Sequence, residues 1–111
     1  MFCIAVPSSP PDEISIDAIY FDSIYLSWRA PLREYHNGEL IGYNVTFTVA
    51  NSEKVFDLFS ASNGTSIGSL KPFTNYIINI AAVTSVGVGP YSAAVTVMTA
   101  ESGIIILLKY A

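Results

Sequence analysis

The chain is 111 residues long, with 51% hydrophobic and 13% charged residues and a formal net charge of -4. That length supplies one domain with a core of its own, and that composition excludes disorder over most of it. Lys and Arg stand scattered at positions 29, 33, 54, 71 and 109; they make no stripe for a phosphate backbone, which excludes a nucleic-acid binder.

In chain order, the opening "MFCIAV" is apolar but lacks a basic n-region and stops at Pro7, too short for a secretory signal. Cys3 is the one cysteine. It excludes an internal disulfide and a cysteine-based zinc site, leaves the redox compartment open, and reads as a free thiol without a role in a loose arm. "VPSSPPDE" is Pro/Ser punctuation, so residues 1–9 are read as an arm or linker and residues 10–100 as the domain.

From Ile14 onward, strand-like runs alternate with turn signals at roughly 8–12-residue intervals, and no helical spacing persists; this predicts an all-β sandwich or barrel. Seven strands are expected. The first covers residues 13–18. Around it Asp12, Glu13, Asp17 and Asp22 lack the spacing of a calcium loop and serve to keep an edge-prone strand soluble. The second, residues 23–28, sets Ile24, Leu26 and Trp28 on one face and Tyr25 and Ser27 on the other. A loop over residues 29–40 contains Pro31 and the turn dipeptide Asn37, Gly38. Its His36, the one histidine, stands beside Glu34 and Asn37 and is read as a solvated loop residue, since nothing nearby in sequence supplies a hydrolytic triad.

The third strand, residues 42–50, turns Tyr43, Val45 and Phe47 inward and Asn44, Thr46 and Thr48 outward. A fourth covers residues 54–59. Asn63 and Gly64 are then expected to close a tight hairpin turn, because both tolerate the positive φ it demands. The fifth and sixth strands cover residues 65–70 and 76–84. "SVGVGPYS" is read as a glycine-rich loop; its "GVG" precedes Pro90 rather than a helix and is no dinucleotide loop. Residues 93–99 make the seventh strand. The tail 101–111 carries a run of five aliphatics closed by Lys109, against the ~20 residues of a membrane span. Membrane association is therefore expected only through flanking sequence, and the tail's role stays open.

"NVT" at Asn44 and "NGT" at Asn63 are both acceptor patterns for N-linked glycan. No cofactor site, metal ligand set or catalytic constellation is legible, so the chain is read as no enzyme, with no small-molecule substrate.

Several segments together carry a family likeness: Pro10 and Pro11, "SIYLSW" with Trp28, "NGELIGYNVTF", "LKPFTNY", and "AAVTSVGVGPYS" ending near Thr99. The chain resembles a fibronectin type III domain, of the kind found in cell-adhesion molecules and receptor-type tyrosine phosphatases. The resemblance implies a seven-stranded antiparallel immunoglobulin-like β-sandwich. It also gives "LKPFTNY" a meaning, since the chain there leaves one sheet and enters the other. Pro72 fixes φ at the crossing, Leu70 plugs the core edge, and Tyr76 buries its ring while its hydroxyl returns to a backbone group upstream, a tyrosine corner. Trp28 is expected to pack with Ile24 and Leu26 against Tyr43, Val45, Ile78 and Ile80.

Function in such a module is expected on loops or on an outer sheet face. One candidate contact is the pole where three connections would meet, offering Arg33, Tyr35, His36 and Tyr91. The other is the outer face of strands three, six and seven, where alternation turns Ile77, Ala81 and Val83 outward, with Met98 joining them. The resemblance implies protein recognition at the extracellular side of the cell surface, by a partner or by neighbouring domains of the same chain. The alternatives are a passive spacer, extracellular or intracellular, and an appendage of a secreted glycan-degrading enzyme.

Overall fold

The computed structural model describes residues 5–101 and the strand Ile106–Leu107; Cys3 and the other tail positions lie outside the described residues. The strands are β1 Asp12–Ile19, β2 Ile24–Arg29, β3 Leu40–Val49, β4 Phe56–Ser60, β5 Gly64–Ile67, β6 Asn75–Thr84, β7 Gly87–Tyr91, β8 Val95–Met98 and β9 Ile106–Leu107. One 3-10 turn, Arg33–Tyr35, interrupts the β2–β3 connection.

Two antiparallel sheets result. The first has the order β5-β2-β1-β9 and the second β4-β3-β6-β7, with β8 also paired to β6. Alternation in β2 decides which side faces in: Ile24, Leu26 and Trp28 are buried while Tyr25 and Arg29 are exposed. From the second sheet Tyr43, Val45, Tyr76, Ile78 and Ile80 close onto them, and Ile67 and Leu70 complete the core. Burying seven such aliphatic side chains supplies the main driving force, at about 1.5–3 kcal/mol each before conformational entropy is charged against it. Trp28 meets Tyr43 edge-to-face, with ring centroids 5.3 Å apart.

The expected sandwich is thus observed, with three local differences. Asn63 and Gly64 do not close a hairpin, because β4 belongs to the second sheet and β5 to the first. A crossing between layers needs no tight reversal, and neither residue is among those with positive φ. Asn63 instead ties the two strands of the first sheet: its carbonyl accepts from the Trp28 N–H at 3.0 Å, and its Nδ2 donates to the Trp28 carbonyl at 3.1 Å.

Second, most of "SVGVGPYS" is strand β7, antiparallel to β6. Pro90 argues for a break, yet β7 lies at the edge of its sheet, where a proline is tolerated because one side of the strand needs no donor. A register shift between Ala81 and Val83 absorbs the irregularity. Third, the last expected strand is β8 alone, and β7 and β8 pair with opposite halves of β6. Ser92 fills the gap between them: its N–H donates to the Ile80 carbonyl at 2.8 Å, and its Oγ accepts from the Ile80 N–H at 3.0 Å.

Candidate interaction surfaces

At one pole the β5–β6 crossover is held by side chains. The Tyr76 ring is buried, and its hydroxyl accepts a hydrogen bond from the Lys71 N–H at 2.8 Å. Its backbone partner is therefore a donor. Thr99, itself buried, accepts from the Thr74 N–H at 2.9 Å and donates to the Lys71 carbonyl at 2.6 Å. Leu70 is buried beneath the turn, while Pro72 is exposed on it. This pole is a structural knot.

The opposite pole gathers the β2–β3 connection, the start of β5 and the β6–β7 turn. Arg33, Glu34 and Tyr35 are exposed there. His36 is less free than its sequence context suggests: Nε2 donates to the Pro31 carbonyl at 2.7 Å, which spans the base of its own loop. Tyr91 does not join this group. It lies on β7, where it pairs with Ala81 on the outer face of the second sheet.

That outer face differs from what alternation alone suggests. Ala81 and Val83 are 0% and 8% exposed although they lie outside the core cluster. The reason is a row across the sheet, Phe59, Asn44, Ala81, Tyr91, in which each residue is the register partner of the next. Asn44 Nδ2 donates to the Tyr91 hydroxyl at 2.6 Å, bridging over the small Ala81. One step along, Val83 pairs with Gly42 and Val88, and the Phe59 ring lies over Gly42, its Cζ 2.3 Å from where a Cβ there would stand. Ile77 is half-buried and Met98 is 40% exposed. The aromatic side chains that present apolar surface there are Phe59 at 55% and Tyr91 at 41% exposure, with Val88 and Met98 also exposed. Alternation in "FDLFS" could have flagged Phe59, since it falls on the face opposite to Leu58 and Ser60.

A further concave region lies at the open side of the sandwich. Phe47 and Phe56 stack with centroids 5.4 Å apart, Lys54 Nζ sits 5.2 Å over the Phe56 ring, and with Leu70, Lys71 and Tyr76 they line a cleft of about 440 Å³. Among the described residues, no His, Cys, Asp and Glu side chains group as a metal site, and no helix is long and apolar enough to cross a membrane. Arg29 bridges Asp12 and Glu13, each at 3.2 Å, and the hydrogen bond it donates to the Asp12 carboxylate holds its guanidinium above the ordinary arginine value. All three side chains are exposed, so the cluster adds solubility to β1 more than stability.

The fibronectin type III domain family matches residues 9–98 of the chain. Receptor-type tyrosine-protein phosphatase F of Danio rerio is 30% identical over 102 residues, covering 87% of this chain and 5% of that protein. Cell adhesion molecule DSCAM of Gallus gallus is 29% identical over 104 residues, covering 87% of this chain and 5% of that protein. The crystal structure of the FN5 domain of Drosophila Lar superposes with a TM-score of 0.71 at 27% identity, covering 87% of this chain and 100% of that one. The chain thus spans 5% of the length of these curated relatives.

Proposed function

Because the chain belongs to the fibronectin type III family, whose members recur in adhesion molecules and receptor phosphatases, we propose that it is a non-catalytic protein-interaction module. It serves as one repeat of a multidomain adhesion or receptor protein, on the extracellular side of the cell surface. Its partner is a protein or a neighbouring domain. The contact is the outer face of the second sheet, with Phe59, Tyr91 and Met98 as the exposed side chains around Ile77 and the roofed Ala81 and Val83. The observation that carries this choice is the exposed Phe59 and Tyr91 flanking the Asn44 bridge. Aromatic rings held rigidly on a sheet give contact area at little entropic cost.

The pole offering Arg33, Tyr35 and His36 is the lesser candidate, since His36 is engaged within its own loop. The passive-spacer reading keeps one observation in its favour: Ala81 and Val83 are already covered, so the outer face offers less apolar area than alternation suggests. Asn44 and Asn63 are proposed glycan acceptors, in keeping with the extracellular placement.

The test is a binding screen of the immobilised chain against a panel of cell-surface ectodomains. A partner whose binding falls at least about tenfold with Phe59→Glu or Met98→Glu, and is unchanged by Arg33→Glu with Tyr35→Ala, supports the sheet face. The reverse pattern moves the contact to the pole. Absence of any binder leaves the spacer reading in possession.

A further inference from the structure

The cleft at the open side of the sandwich belongs neither to the outer sheet face nor to the β2–β3 pole. Phe47 and Phe56 are register partners, and Phe47 packs against the core, so the pair stands on the inward side of the second sheet. Phe56 is nevertheless 42% exposed. The reason is that β5 ends at Ile67, and residues 68–71, rather than a strand, form the opposite wall. Leu70 and Tyr76, both buried, make the floor. The result is a recess of about 440 Å³ between the two layers, within the ~300–1,000 Å³ of small-molecule sites.

The walls carry one sign of charge. The chain has nine acidic and five basic residues, yet among the described residues the charged side chains lining the recess are Lys54 and Lys71, with no carboxylate beside them. Neither lysine forms an ion pair with a described residue. Both walls are also held in place. Lys54 Nζ rests 5.2 Å over the Phe56 ring, its N–H donates to Ser52 Oγ at 3.2 Å, and its carbonyl accepts from Thr48 Oγ1 at 2.6 Å. Across the recess, the Leu70 N–H donates to the Asp22 carbonyl at 2.9 Å. Ser69 has φ 57°, a conformation that a residue with a side chain keeps only where its surroundings impose it. The Tyr76 hydroxyl accepts from the Lys71 N–H, and no described residue takes its own proton in turn.

We propose that this recess binds a small amphipathic carboxylate, a free aryl acid. Its ring enters beside the Phe47–Phe56 stack, and its carboxylate lies between the two ammonium groups with the Tyr76 O–H as a further donor. Preformed walls limit the entropy lost on binding. A free acid suits the recess better than an acidic peptide does, because a floor of Leu70 and Tyr76 gives depth rather than a groove or strand edge to run along. The site is separate from the proposed protein contact, and neither reading depends on the other.

The test is a titration of the isotope-labelled chain with naphthoate and with its neutral counterpart naphthamide, followed through the amide resonances. Saturable shifts are expected at residues 52–56 and 68–71, with naphthoate bound at least about tenfold more tightly than naphthamide at low salt. Lys54→Met with Lys71→Met removes both charges from exposed side chains. The core resonances are expected to stay in place while the preference for naphthoate disappears. Phe56→Ala is expected to weaken both probes at least about fivefold and to keep the preference. An acetylated, amidated dipeptide of aspartate and phenylalanine carries the same two groups on a peptide backbone, and is expected to bind more weakly than naphthoate. Binding of that dipeptide at least about tenfold more tightly than naphthoate overturns the free acid in favour of a peptide segment. Equal affinity for the charged and neutral probes, a preference that survives loss of both lysines, indifference to Phe56→Ala, or shifts centred on Phe59 and Tyr91 overturn the proposal altogether.

Discussion

Tyr76 and Thr99 converge on four residues of backbone at the β5–β6 crossover, and both act through one oxygen atom. Tyr76→Phe keeps the ring in the core but leaves the half-buried Lys71 N–H without its acceptor at 2.8 Å, and a loss of about 1–3 kcal/mol is expected from urea unfolding. Thr99→Val strands both the Thr74 N–H and the Lys71 carbonyl. Because the two side chains hold the same turn, the double variant is expected to lose less than the sum of the singles; strict additivity would show that they act separately. Tyr76 was legible through the family resemblance that "LKPFTNY" helps to carry, not from its spacing alone. Thr99 was not, since a threonine at a strand end looks like any other.

Tyr43 carries a separate, pH-dependent consequence at the same scale. Burial raises its phenol above the ordinary tyrosine value, so the folded state favours the neutral form more than the unfolded state does. The contribution is complete below the unfolded value of about 10 and is lost as pH rises beyond it. The stability of the parent relative to Tyr43→Phe is therefore expected to be constant through neutrality and to fall above that pH. A parent that gains on Tyr43→Phe with alkalinity would contradict burial as the cause.

Among the elements, β3 and β4 depend on a close approach that only glycine permits. At Gly42 a Cβ would lie 2.5 Å from the Ser60 carbonyl oxygen as well as against the Phe59 ring. Gly42→Ala is expected to cost about 1–3 kcal/mol or more, measured by thermal unfolding. Trimming the ring with Phe59→Ala is not expected to rescue it, since the backbone conflict remains; full rescue would place the strain in the ring alone. The strands themselves were readable because β2, β3 and β6 alternate or run apolar without interruption. What escaped is tertiary. Whether β4 and β5 share a sheet is decided by which layer each strand joins, and "NG" carries no information on that. Strand β7 escaped because glycine and proline mark loops unless an edge position spares them. Ala81 and Val83 obey alternation, yet Ala81 lies beneath a hydrogen bond between Asn44 and Tyr91, 47 positions apart in sequence, and Val83 lies between Gly42 and Val88.

For the whole molecule, the two acceptor asparagines stand in unlike surroundings. Asn63 is exposed at the end of the sandwich where the β2–β3 connection starts, and one amide hydrogen reaches the Trp28 carbonyl. A sugar on its Nδ2 leaves the second hydrogen for that bond, and the chain around it projects into solvent. Asn44 is half-buried in the outer sheet face, with Nδ2 only 2.6 Å from the Tyr91 hydroxyl. A glycan there is bulky and hydrophilic, and it must share the space above Ala81 that the Asn44–Tyr91 bridge now closes. It would also screen Phe59 and Tyr91, the proposed contact. Expression of the chain behind a secretory leader is therefore expected to add glycan mass at Asn63, abolished by Thr65→Ala, with lower occupancy at Asn44, read from the loss on Thr46→Ala. Molecules that do carry sugar at Asn44 are expected to unfold at lower denaturant than those modified at Asn63 alone, because the bridge to Tyr91 is displaced. Full occupancy of Asn44 with unchanged stability and unchanged partner binding would show that the bridge is incidental and that the outer face is not the surface this module uses.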